Sequence, residues 1–325
     1  MTVDHRKWES VLSRIAHQQS GQQDASISTN RMTYLGEGAV KLPSRLDAGY
    51  RVASLTKHSK GQLTSHLGVP SGFIEELELR NPNLAKEVMN DALQTSSAKM
   101  YWRFSEDRIR GVLPTKRPAV DNLAIVEGMD TALSIGSKED FFVRSVSLDD
   151  NRFYLKVLFD KEFRDTTGIK EGNYLKVGVL ARTSETAHGK IEIKPFMYRW
   201  SCTNDAVVAS SSSFITQDFT IDRNRLIEEA SHVAASSRIQ ALDWVSTAID
   251  SQQKTVRSPQ RRLQTLATTA GLGKTETKAL INAYRKEPMP TEYGMSQAFT
   301  RYAQTISDLD ERSRVEEFGA SIVLR

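Results

Sequence analysis

Two short runs of aliphatic and β-branched residues, Leu175–Ala181 and Ile191–Tyr198, face each other across a polar connection that includes Gly189. Val177, Val179 and Ala181 alternate with other residues, as do Ile191 and Ile193. A period of two is the mark of a strand with one buried face, so the pair predicts an antiparallel hairpin at the centre of the fold. The chain then breaks into Ser201-Cys202-Thr203-Asn204-Asp205 and resumes with an apolar stretch that reads as the entry to a helix.

Around this hairpin the periodicity changes along the chain. Val3, Leu12 and Ile15 suggest a short amphipathic helix at the N-terminus, and the Gln/Ser-rich stretch 18–30 reads as a polar linker. Residues 32–53, with Gly36, Gly38, Pro43 and Gly49, look irregular, with one short strand. Helical spacing returns over Phe73–Leu79 and Leu84–Leu93, where Pro82 opens the second helix at a permitted position. Tyr101–Phe104 and Ile109–Leu113 predict two strands around a Ser-Glu-Asp turn, and Ile125–Ile135 a helix. Phe141–Leu148 and Arg152–Phe159 predict a further hairpin turning at Asp149-Asp150-Asn151. From Arg223 onward the spacing is helical over Leu226–Ala248, Pro259–Ala270, Lys274–Arg285, Ser296–Ser307 and Arg314–Leu324. Grouped strands followed by grouped helices define an α+β chain. It has a central, largely antiparallel sheet of hairpins, N-terminal helices and a helical C-terminal third. The corresponding division is 1–30 (helix and linker), 31–222 (α+β core) and 223–325 (helical region packed on the core).

Composition narrows the function. With 39% hydrophobic and 26% charged residues the chain can bury a substantial core. No apolar run approaches the ~20 residues of a membrane span, and the N-terminus has no apolar leader core. A cytoplasmic protein without a membrane partner is expected. A single cysteine, Cys202, excludes an internal disulfide and a cysteine-based metal cage.

The net charge of +4 is mild, but two segments concentrate it. Lys99–Ala119 holds Lys99, Arg103, Arg108, Arg110, Lys116 and Arg117 against Glu106 and Asp107. Ser251–Lys286 holds Lys254, Arg257, Arg261, Arg262, Lys274, Lys278, Arg285 and Lys286 against Glu276 alone. In the first segment Tyr101, Trp102 and Phe104 interleave with the cations, the combination of stacking faces and phosphate-holding charge that single-stranded nucleic acid requires. Strand alternation sets Trp102 and Phe104 on one face and Tyr101 and Arg103 on the other, so one aromatic pair belongs to the core. The second segment reads as a helix–turn–helix pair that either meets phosphates or is an ordinary αα-hairpin with a solvated basic face.

Other chemistry is weaker. Gly271-Leu272-Gly273-Lys274-Thr275 suggests a phosphate-binding loop, but Thr268 stands where the first glycine is required and the preceding residues are helical, not a strand. Six scattered histidines show no metal-ligand spacing. Glu185 with Glu192 or Asp205 would be needed for a carboxylate metal site, and Cys202 would need a histidine brought to it by the fold. No catalytic residue, metal or cofactor is assigned on these grounds.

Four stretches in order resemble the phage- and plasmid-borne proteins that carry the domain of unknown function nine-three-two. They are LGVPSGFIEEL (Leu67–Leu77), IRGVLPTKRPAVDN (Ile109–Asn122), the run from ARTSETAHGKIEI to WSCTNDAVV, and the tail ending in RSRVEEFGASIVL. Ser184, Glu185, Cys202, Thr203 and Asn204 match the family's Ser-Glu pair and Cys-Thr-Asn motif, whereas Asp205 stands where the family usually has glycine. The resemblance implies a protein of a mobile element and confers no catalytic mechanism. A fold-level analogy with phage single-strand annealing proteins, which act as rings or filaments, adds the expectation of a homo-oligomer on single-stranded DNA in recombination or replication. A protein-interaction module without nucleic-acid binding is the alternative, and a metal-dependent enzyme a third.

Overall fold

The two central runs pair antiparallel, Ile193 opposite Ala181 and Met197 opposite Val177, in a computed structural model. It describes residues 5–43, 49–115, 120–134, 141–164, 174–188, 191–199, 204–207 and 223–323. The first half contains α1 (His5–Ser20), β1 (Gln22–Ser28), β2 (Thr33–Gly36), β3 (Ala39–Pro43) and β4 (Tyr50–Leu55). Then come α2 (Lys57–His66), α3 (Ser71–Arg80), α4 (Pro82–Ser96), β5 (Lys99–Ser105), β6 (Arg108–Pro114) and α5 (Asn122–Ser134). The second half contains β7 (Phe141–Leu148), β8 (Phe153–Arg164), β9 (Tyr174–Thr183), β10 (Glu192–Arg199) and β11 (Asn204–Val207). Five helices follow: α6 (Arg223–Ser251), α7 (Pro259–Thr269), α8 (Lys274–Lys286), α9 (Glu292–Ala303) and α10 (Leu309–Val323).

The class is α+β, and the strands form two sheets. The first runs β1-β5-β6-β4-β3-β2, antiparallel except where Ser54 and Leu55 of β4 lie parallel to Arg108 and Ile109 of β6. The second runs β11-β10-β9-β8-β7, antiparallel throughout.

Three readings of the sequence are corrected. Residues 22–28 are a strand, not part of a linker: β1 pairs with the whole of β5 and turns Ala25 and Ile27 inward. Only two apolar side chains mark it, too few to reveal a strand whose partner lies about 75 residues away. Residues 32–53 hold three strands rather than one. Their glycines mark a tight reversal: Gly36 and Gly38 take φ of +100° and +77°, with Glu37 also left-handed between them. Finally, the apolar stretch after Asn204 continues the second sheet as β11 against Phe196–Arg199 rather than entering a helix.

Each face of the second sheet is covered. Val157, Val177, Val179, Ala181 and Ile193 pack beneath α1, α5 and α6 with Trp8, Ile125, Met129 and Ala230. On the opposite face Tyr154, Leu158, Leu180, Phe196 and Tyr198 form a smaller cluster. Gly178 is required there, because a Cβ would stand 2.2 Å from the Val157 carbonyl and 2.6 Å from the Phe196 ring. The first sheet buries Val40, Leu42, Trp102 and Phe104 against Leu63, Ile74, Met89 and Leu93 of α2–α4. Helices α7–α10 share a fourth cluster built on Leu263, Leu266, Leu280, Phe299 and Val315. No helix among the described residues is long and apolar enough to cross a membrane.

Candidate nucleic-acid interface

The two basic segments have different fates. In β5–β6 the cations are used inside the fold. Arg103 is 1% exposed and is held between Asp24 (3.0 Å) and Asp121 (2.8 Å), while a second amino group donates to the Glu185 carbonyl. Burial alone would lower the pKa of such a group. The hydrogen bond and charge of Asp24, then the charges of Glu185 and Asp121, outweigh it and raise its pKa. Arg110 pairs with Glu185 at 3.0 Å, both side chains being about 2% exposed, and donates to the Asp150 carbonyl. Arg108 is more open but pairs with Asp150.

The aromatic residues are similarly committed. Trp102 is buried and donates from Nε1 to the Ile27 carbonyl, so its face is not open to a base. Tyr101 is half-buried and donates to Asp24 at 2.6 Å; burial and that bond push its phenol up to about 12. Of the residues expected to grip nucleic acid here, Trp102, Arg103 and Arg110 are enclosed, Tyr101 and Arg108 are tied to carboxylates, and Lys99 is exposed. Lys116 and Arg117 lie outside the described residues.

The turn that carries the Ser-Glu pair joins this region. Glu185 Oε1 accepts from the Asn122 amide while Oε2 holds Arg110, so both carboxylate oxygens are engaged. A metal site at Glu185 would have to break these bonds, and among the described residues no group of three His, Cys, Asp or Glu side chains could hold an ion. Ser184 Oγ accepts from the His188 amide at 2.7 Å. Thr186 seats over Gly111, where a Cβ would meet its side chain at 3.2 Å, and its carbonyl is held by Gln62 and His58. Residues 184–188 thus clamp the second sheet onto the first. Cys202 and Thr203 lie outside the described residues, and Asn204 opens β11.

The α7–α8 segment differs. Leu263, Leu266 and Leu280 turn inward, and the turn between the helices is closed by Gly271 at φ +73° with Leu272 donating back to the Ala267 carbonyl. Glu276 accepts from the Gly273 amide at 2.6 Å and starts α8. Helix α7 precedes the glycines where a phosphate-binding loop needs a strand. Arg257, Arg261, Arg262, Lys274, Lys278, Arg285 and Lys286 are all exposed. None makes an ion pair or side-chain hydrogen bond among the described residues, whereas Lys254 reaches Glu292 at 3.7 Å.

Arg285 and Lys286 suit the last turn of α8, but helix stability does not account for the charges at the two N-termini. A cation in the first turn of a helix opposes the macrodipole, at roughly 0.3–1 kcal/mol each. Arg261, Arg262 and Lys274 occupy such positions, and α7 has no acidic residue in its first turn. Lys274, Lys278 and Arg285 fall on one stripe of α8. At 1.5 Å per residue that stripe is roughly 17 Å long, comparable with about five phosphates of one strand.

No family model matches the chain, and no curated protein or solved structure matches it either.

Proposed function

We propose that this protein binds nucleic acid through the phosphate backbone, with the exposed face of α7–α8 as the principal contact. One observation carries the reading. Elsewhere the fold pairs its enclosed cations, Arg103, Arg110, Lys156, Lys176, Arg182 and Lys194 among them, while the cations of α7–α8 have no partner among the described residues. An extended polyanion satisfies such a row; a compact anion would engage only part of it. Single-stranded DNA of a phage or mobile element, bound by an oligomer during recombination or replication, is the substrate and setting expected from the sequence resemblance. The stacking ring it calls for is not supplied by Trp102, nor by Tyr284 of α8, which is buried.

The test is fluorescence anisotropy with labelled single- and double-stranded DNA. Reversing Arg261 and Arg262 to glutamate should weaken binding at least ~10-fold, equivalent to ~1.4 kcal/mol. Unchanged binding would remove α7–α8 as the contact.

A second reading rests on Phe73, Leu79 and Leu84 of α3–α4, which are 50%, 87% and 41% exposed. Such side chains suit a protein partner, and a host-factor antagonist would use them without DNA. Binding that responds to Leu79→Asp but not to the arginine reversals would favour it.

A further inference from the structure

Helix α8 presents two adjacent stripes to solvent, and one of them carries no charge. Lys274, Lys278 and Arg285 form the first; Thr275, Ala279 and Asn282, all exposed, form the second at the i, i+4, i+7 spacing of one helix face. We infer that α8 is a recognition helix that enters the major groove of duplex DNA and reads base edges with the second stripe. The inference rests on the α7–α8 contact proposed above and names the form of nucleic acid that contact takes.

The connection has the required form. Residues 270–273 alone separate α7 from α8, with Gly271 left-handed, and a helix–turn–helix unit joins its helices by such a short glycine-containing turn. Leu266, Ala267, Ala270, Leu272 and Leu280 pack in one cluster with Met295 and Phe299 of α9, so α8 is backed from within and open on its outer side. In these units the first helix crosses the DNA backbone, and residues in the first half of the second reach the bases. Arg261 and Arg262 stand at the start of α7, and Thr275 and Ala279 in the first half of α8.

The uncharged stripe separates reading bases from holding phosphates. Phosphates call for cations, and asparagine in mid-helix is a poor helix former. Neither Asn282 nor Thr275 makes a side-chain hydrogen bond among the described residues. An asparagine amide pairs bidentately with N6 and N7 of adenine, and alanine and threonine methyls meet the thymine methyl. Ala279 keeps the helix surface low between them, so the helix backbone can approach the base edges. A helix about 10–12 Å across fits a major groove about 12 Å wide. Glu276, the one carboxylate of α8, lies off both stripes and accepts from the Gly273 amide, so neither stripe repels the backbone. A single strand would instead call for stacking rings, and the one aromatic residue of α7–α8, Tyr284, is buried beside Leu280.

The test is selection from a random-sequence duplex library with the full chain, followed by anisotropy at one salt concentration. The selected duplex is compared with a scrambled duplex and with the selected single strand. The selected sequences should share a core containing A·T pairs, and that duplex should bind at least ~10-fold more tightly than the scrambled one, the discrimination of about one bidentate pair. Asn282→Ala should erase most of that ratio, whereas reversal of Arg261 and Arg262 should weaken both duplexes by a similar factor and preserve it. Circular dichroism should show both variants folded. DNA binding with no shared sequence, with the single strand held as tightly as the duplex, or with a ratio that Asn282→Ala leaves unchanged overturns this inference while the phosphate contact stands. Absence of binding to any DNA overturns both.

Discussion

At the scale of single residues, the buried charges of the sheet junction give the sharpest expectations. Glu185→Ala would leave Arg110 enclosed without its partner, and losing one member of a buried pair costs on the order of 3–5 kcal/mol. Urea unfolding should show that loss, whereas Arg108→Ala, which removes an open pair, should stay within about 1 kcal/mol. His58 and His188 give a pH dependence. Arg152 donates to His188 Nε2, and the two Nδ1 atoms lie 2.9 Å apart. His58 Nε2 lies 3.0 Å from the Thr186 carbonyl. That chain closes only if both rings are neutral, each donating once. Burial first, then the Arg152 charge, lowers the His188 pKa; burial chiefly lowers that of His58, outweighing its bond to the Thr186 carbonyl. Below the ordinary value of 6.5 the unfolded chain therefore takes up protons that the folded chain refuses, and stability falls as pH falls through that window. His188→Gln should flatten the slope of stability against pH between about 7 and 5. An unaltered slope would mean that the pair is not neutral in the fold.

Among the elements, legibility in the sequence followed the amount of local signal. The central hairpin, the Asp149 turn and the helices from α6 onward are readable because their apolar period lies within one window, and Pro82 at the start of α4 and Gly271 after α7 mark helix ends locally. Strands β1 to β4 are not, because β1 has two inward apolar side chains and β2–β4 are punctuated by glycines that serve a turn. The charged cluster of β5–β6 was misleading for the same reason. Counting cations within twenty residues cannot include Asp24, which pairs with Arg103 from 79 positions away. The alternation that put Trp102 and Phe104 together did identify the core face. At this scale Gly178→Ala is the discriminating variant. With Val157 and Phe196 in place of free space, the added methyl must displace a strand or a ring, and a loss of roughly 1–3 kcal/mol is expected in thermal or denaturant unfolding. A neutral result would mean that β8–β10 are not packed as described.

Across the whole molecule, the fold separates charge that holds it together from charge it presents. Ion pairs enclosed at the sheet junction and beneath α10 bind elements distant in sequence, and the α7–α8 face lies at the surface with its cations unpaired among the described residues. The deciding measurement is DNA affinity as a function of salt, for the unaltered chain and for the variant with Arg261 and Arg262 reversed. If α7–α8 grips phosphates, log affinity should fall linearly with log salt, and losing two contacts should shallow the slope by about 1.4 for single strands and about 1.8 for duplex. Equal slopes in the two proteins, or no binding at physiological salt, would contradict the account.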